Sequence, residues 1–160
     1  MATASNIVTP LNDVTAFLGT EHGLFIDGAW RDARSSDRID VYNPATGERI
    51  ASVVNANARD VDDAVRSAHS AFESGAWSAL APAERERLLL KFADLVEQNA
   101  EALAQLETLN QGKSINISRY VDIGGAPSYM RYIAGLSTKV TGETFDVSIG
   151  AIPGGRYNAS

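Results

Sequence analysis

The sequence predicts a mainly α-helical chain with a small antiparallel β unit near its front and one strand near its end. Three observations predict it. From Leu24 to Val54, short apolar and β-branched runs are interrupted by two turn signals, Asp27-Gly28 and Asn43-Pro44-Ala45-Thr46-Gly47. At Asn57 the apolar spacing lengthens to the helical period and largely keeps it to Val140. Thr144 to Ile149 then returns to strict alternation.

In chain order, residues 1–20 mix Thr, Ser, Asn and Asp with a few apolar residues. They predict a loosely held arm with one helical turn over Asp13 to Leu18. Leu24-Phe25-Ile26, Asp27-Gly28 and Ala29-Trp30-Arg31 form a strand, a type I′ dipeptide and a second strand, hence a hairpin. Ile39 to Tyr42 and Ile50 to Val54 predict two further strands around the central turn. There Asn43 can bond the backbone two residues on, Pro44 presets φ, and Gly47 can adopt the left-handed conformation.

Asn57 and Asp60 supply a cap and a first-turn acid for a helix whose apolar face is Val61, Ala64, Val65, Ala68 and Phe72, stopped by Gly75. Pro82 opens a second helix, predicted to bury Leu88, Leu89, Phe92, Leu95 and Val96. A third begins near Ala100, carries Leu103, Leu106 and Leu109, and ends at Gly112, placed as a C′ residue. Ser114 to Val140 reads as a fourth helix with Gly124-Gly125-Ala126-Pro127 at its middle. Interior Pro costs about 3 kcal/mol and Gly about 1, so a break or kink is expected there. Thr144 to Ile149 has no evident hairpin partner, which predicts an unpaired edge and self-association through residues 143–152.

One hundred and sixty residues with 44% hydrophobic and 21% charged composition suit one globular domain. A net charge of −6 with scattered basic residues gives no footprint for nucleic acid. No apolar run reaches the roughly 20 residues that span a bilayer. With no cysteine there is no disulfide, thiolate metal site or thiol nucleophile, and the first residues lack a secretory pattern, so a cytoplasmic location is expected. No dinucleotide fingerprint or P-loop is present. His22 and His69 lack ligand spacing and read as solvated or partly packed imidazoles, while Asp60, Asp62 and Asp63 suit a helix N-terminus without any catalytic role. By themselves these residues define no enzyme.

An ordered set of short segments adds a resemblance. Phe25-Ile26-Asp27-Gly28-Ala29-Trp30, Asn43-Pro44-Ala45-Thr46-Gly47-Glu48, Asp60 to Val65, Ala71-Phe72 with Trp77, Arg85 to Leu90, Glu107 to Lys113, Arg131 to Gly135 and Gly142-Glu143-Thr144 resemble, in order and spacing, the start of the NAD(P)-dependent aldehyde dehydrogenases. The resemblance implies an α/β, Rossmann-like parent fold, with residues 21–140 the first part of its cofactor-binding domain and residues 141–160 the start of its oligomerisation arm. It also implies a dimeric or tetrameric homo-oligomer and oxidation of an aldehyde to the acid by a cysteine thiolate, with NAD or NADP as hydride acceptor. The arm adds a likeness to members acting on phenylacetaldehyde, which implies an aromatic substrate.

The family's nucleophilic Cys, its dinucleotide-binding loop and its Glu-Leu-Gly-Gly segment do not occur here. The segment alone is therefore expected to hold no catalytic or cofactor-binding residue and to be inactive. The resemblance carries two sets of positions over. Main-chain carbonyls of Val41 and Asn110 would hold a structural monovalent cation, and Val121, Asp122, Gly125 and Tyr129 would line the substrate entrance. Asn110 stands where the family often has Asp, and Gly125 where a bulkier side chain is frequent. The alternative from another class is a stand-alone helical module that shares this ancestry and binds a partner protein.

Overall fold

The β elements are built by local turn chemistry. Strand β1 (Leu24–Ile26) and strand β2 (Ala29–Arg31) form an antiparallel hairpin with Phe25 opposite Trp30, their rings edge to face at 5.2 Å. Asp27 and Gly28 take φ of 57° and 71°, the left-handed pair that a type I′ turn requires. Strand β3 (Arg38–Tyr42) pairs antiparallel with β4 (Arg49–Val54), with a register shift between Val41 and Tyr42. Between them, Asn43 Oδ1 accepts the Ala45 N–H at 2.9 Å and the Asn43 carbonyl accepts the Gly47 N–H at 2.7 Å. The expected β unit is thus two separate ribbons, and a parallel bridge from His22 to Val53 ties residues just before β1 to β4.

The structure, a computed structural model, describes residues 10–148 and 156–159. Helix α1 (Asn12–Gly19) corrects the loosely held arm over its described part. It buries Val14 to 2% exposure, and the Leu11 N–H just ahead of it donates to Gln105 Oε1 at 2.8 Å. Phe17 continues the docking by stacking on His22, whose Nε2 lies 2.8 Å from the Phe17 carbonyl oxygen.

Helix α2 (Ala58–Glu73) starts in a capping box. Asn57 Oδ1 accepts the Arg59 and Asp60 N–H groups, and Asp60 Oδ2 accepts the Asn57 N–H at 3.0 Å. Helix α3 (Pro82–Gln98) and helix α4 (Ala100–Gln111) follow, separated by Asn99, whose φ of −104° and ψ of 15° interrupt the helix. Gly112 ends α4 at φ 71°, as predicted.

From Ser114 the chain winds through α5 (Ile115–Ile117), a π turn (Ser118–Ile123) and α6 (Gly124–Ala134). Of the break or kink expected at Gly124 to Pro127, a break does not occur, since helical dihedrals continue through Ile123 and Gly124. The irregularity is a widened turn just ahead of the proline. Helix α6 packs on α3, with Ala93 and Ala134 fully buried and Arg131 reaching Asp94 and Glu97 at 2.7 Å each. The helix ends at Ala134, short of the predicted Val140.

Two expectations fail on burial and pairing. Leu88, Phe92 and Leu95, predicted to be buried, are exposed, as are Val61, Val65 and Phe72 on the apolar face of α2. On α3 the buried position is Ala93, outside the predicted set, and these large apolar side chains stay exposed. Strand β5 (Phe145–Ser148) also has a partner, pairing antiparallel with β6 (Arg156–Ala159), so the expectation of a strand without a returning partner is corrected. Of residues 143–152, the stretch expected to self-associate, 149–152 lie outside the described residues.

Candidate functional site

The predicted entrance residues sit on the π turn and α6, and α4 holds that segment through three polar links. Deepest is the hydroxyl pair Thr108 and Ser118, where Thr108 Oγ1 donates to Ser118 Oγ at 2.9 Å and Ser118 is fully buried. At one side, Lys113 Nζ donates to Glu107 Oε1 at 2.7 Å and to Asp122 Oδ2 at 2.8 Å, and the two carboxylates raise the ammonium pKa. At the other, Arg119 forks onto Glu101 with Nε to Oε2 at 2.7 Å and Nη2 to Oε1 at 2.6 Å. Gln105 completes this link. Its Nε2 donates to Glu101 Oε1 at 2.7 Å while its Oε1 takes the Leu11 N–H, so the start of α1, α4 and the π turn share one network.

The Arg119 fork, with help from Gln105, holds the Glu101 carboxyl at a pKa of about 2, below its ordinary value. A depressed carboxyl favours the folded state above its unfolded pKa, and that contribution is lost as pH falls through the folded value. Stability should therefore decline between about pH 4.5 and about pH 2 in part through this residue, and Glu101→Gln should flatten that decline. Both partners are more than a third exposed, so the effect is screened to about 1 kcal/mol or less. Urea unfolding at several acidic pH values reads it. Parallel acid profiles for variant and wild type would remove Glu101 from the acid response.

Three of the four predicted entrance residues lie on open surface of the π turn and α6. Val121 and Tyr129 are exposed, and an added Cβ at Gly125 would meet nothing within 4 Å. Asp122 is turned to Lys113 and serves the ion pair. Sequence reasoning missed Glu101, Gln105 and Arg119. Only the four-residue spacing of Glu101 and Gln105 along α4 hinted at them, since Arg119 lies 18 residues from Glu101.

The two proposed cation carbonyls lie on neighbouring segments. Asn110 is in the last turn of α4, where carbonyls lack intrahelical partners, and Val41 of β3 lies beside the bulge that Ile50 makes in β4. The turn that follows Val41 meets the end of α4, since a Cβ at Gly112 would stand 2.8 Å from Pro44 Cγ. Neutral carbonyl oxygens suit a hard cation. Among the described residues no cluster of three or more His, Cys, Asp or Glu side chains could hold a metal ion. A cleft of about 680 Å³ opens at this seam, bounded by Leu18, Asn43, Thr46, Thr108, Gly112 and Ser114. No helix among the described residues is long and apolar enough to cross a membrane.

Comparison with known proteins gives this geometry its context. Phenylacetaldehyde dehydrogenase of Pseudomonas fluorescens is 42% identical over 139 residues, which are 87% of this chain and 28% of the relative. An NAD+ complex of an aldehyde dehydrogenase from Bacillus cereus superposes with a TM-score of 0.82 at 41% identity, covering 88% of this chain and 29% of the other. The indole-3-acetaldehyde dehydrogenase of P. syringae, also with NAD+, superposes at 0.74 with 39% identity, over 86% of this chain and 28% of its own. The chain thus spans a little over a quarter of the length of such relatives. Residues 30–156 match the pattern of the aldehyde dehydrogenase family, and the chain belongs to that family.

Proposed function

We propose that these residues are the leading part of an enzyme that oxidises an arylacetaldehyde to its acid with NAD or NADP. The observation that carries this is the family match over residues 30–156, within a fold that superposes on 29% of a longer aldehyde dehydrogenase chain. The substrate class draws on relatives named for phenylacetaldehyde and indole-3-acetaldehyde, and on the open mouth at Gly125. In that enzyme the later segments cover the exposed faces of α2 and α3, and residues 141–160 begin the arm that joins subunits of a homo-oligomer.

The dinucleotide does not fit on the residues present. Among the described residues the one strand followed directly by a helix is β4, which leads into α2. No glycine-rich loop joins them, and the helix N-terminus already holds the Asp60 carboxylate, which would repel a pyrophosphate. The cofactor and the thiolate therefore come from later segments, and residues 1–160 alone are inactive. What these residues contribute is the mouth of the substrate channel and the carbonyls of Val41 and Asn110 toward a structural cation.

Expression of the complete reading frame, followed by NADH formation with phenylacetaldehyde, tests the activity, and calorimetric titration of residues 1–160 with NAD+ tests the division of labour. Activity from the whole and no binding by the part is expected. Gly125→Met then tests the mouth: it should lower kcat/KM for phenylacetaldehyde about 10-fold while leaving acetaldehyde nearly unchanged, because the open Cβ position lets the side chain fold and narrow the channel. Equal losses for both aldehydes would place Gly125 outside the channel.

A further inference from the structure

We propose that the π turn Ser118–Ile123 is a specificity device for this mouth, with Arg119 and Gly124 as its positioning residues; this rests on the entrance reading given above. A π turn inserts one residue into a helix. At 3.6 residues per turn, that rotates the residues on either side of it by about 100° relative to an unbroken α-helix. Val121 and Asp122 lie within the turn, and Gly125 and Tyr129 lie beyond it. Because the first pair sits inside the turn, only part of that rotation falls between it and the second pair, and the turn sets the angle at which Val121 and Asp122 are presented beside Gly125 and Tyr129. In the observed register Val121 is exposed, as are Gly125 and Tyr129, while Asp122 goes to Lys113.

Two independent features hold the turn. Gly124 has a φ of −66°, which any residue adopts, so its dihedral does not call for glycine. Its closeness to the preceding turn does: a Cβ there would stand 2.6 Å from the Arg119 carbonyl oxygen, a backbone atom that cannot step aside alone. Arg119 is fixed in turn by its side chain, forked onto Glu101 of α4, with Gln105 bonded to the same carboxylate. The backbone of one residue thus meets the bare Cα of the other, and the guanidinium clamps the pair to α4. Neither residue touches substrate in this scheme, and both act through Val121, Gly125 and Tyr129.

The test is steady-state kinetics of the complete enzyme with phenylacetaldehyde and acetaldehyde. Gly124→Ala should raise KM for phenylacetaldehyde about 10-fold while kcat and the acetaldehyde KM stay within about 2-fold, because the register of the mouth changes and the reacting atoms do not. Arg119→Met should shift the same ratio in the same direction, and Arg119→Lys, which keeps one charged bond to Glu101, should restore part of it. Tyr129→Ala and Val121→Ala read the entrance itself. If they leave the aryl KM unmoved, the entrance reading is wrong and the specificity role falls with it. If they move it while Gly124→Ala and Arg119→Met do not, the positioning role alone is overturned. Should Gly124→Ala fail to fold, the two Arg119 variants decide between the same outcomes.

Discussion

Asp60→Ala should destabilise the fold by about 3 kcal/mol, since charged acceptors in buried hydrogen bonds are worth about 1.5–3 kcal/mol each and their donors are left unpaired. The Asp60 side chain is only 3% exposed. Its Oδ2 takes the Asn57 N–H and its Oδ1 takes the Arg34 N–H, each at 3.0 Å, so one carboxylate fastens the cap of α2 to the connector between β2 and β3. The Arg34 guanidinium adds a longer contact at 4.0 Å and reaches Asp63 at 2.7 Å. Truncation orphans two backbone donors at once, which hydration of a small cavity cannot replace in full. Asp62→Ala supplies the contrast. That residue is 59% exposed and pairs with Arg66 on the helix surface, so its loss should change stability by less than about 0.5 kcal/mol. Denaturant midpoints of the two variants decide the matter, and similar values for both would show that the buried cap contributes no more than a surface pair.

Asp60 also illustrates what was legible in the sequence. Caps and tight turns are local, so Asn57 with Asp60, Asp27-Gly28 and Gly112 could be read from a few adjacent residues, and each takes its expected geometry. That Asp60 also binds Arg34 was not legible, because 26 residues separate them and many arrangements would satisfy the same pattern. The exposed Leu88, Phe92 and Leu95 reflect a related limit: helical spacing identifies the face suited to burial but says nothing of what covers it. At Pro127 the propensity argument foresaw an irregularity but not its form, since a missing N–H can be met by a break, a kink or a widened turn. The partner of β5 was legible, for the sequence places the turn-forming residues Pro153-Gly154-Gly155 just ahead of the strand that pairs with it. At the site, Val121, Gly125 and Tyr129 were placed by resemblance, whereas the diversion of Asp122 to Lys113 depends on a register that the π turn sets.

Gly112→Ala should be as damaging as Asp60→Ala, for two additive reasons that a second glycine can separate. Gly112 and Gly47 have nearly the same dihedral, φ 71° and 73°. A Cβ in this left-handed region costs about 1–2 kcal/mol in either position. At Gly47 nothing lies within 4 Å of the added atom, so Gly47→Ala should stop there. At Gly112 the Cβ would stand 2.8 Å from Pro44 Cγ and 3.3 Å from the Ala45 nitrogen, and it must push the turn away from the end of α4. Overpacking of this kind adds about 1–3 kcal/mol, so the two alanine variants should differ by about 2 kcal/mol. Removing the obstacle checks the cause. In a double-mutant cycle Pro44→Ala should be markedly less harmful on the Gly112→Ala background than on the wild type, with a coupling of about 1 kcal/mol. The Ala45 nitrogen keeps the rescue partial. Equal losses at Gly47 and Gly112, or a cycle with no coupling, would mean that the central turn and the end of α4 do not meet as described, and the neighbourhood of Val41 and Asn110 would have to be drawn again.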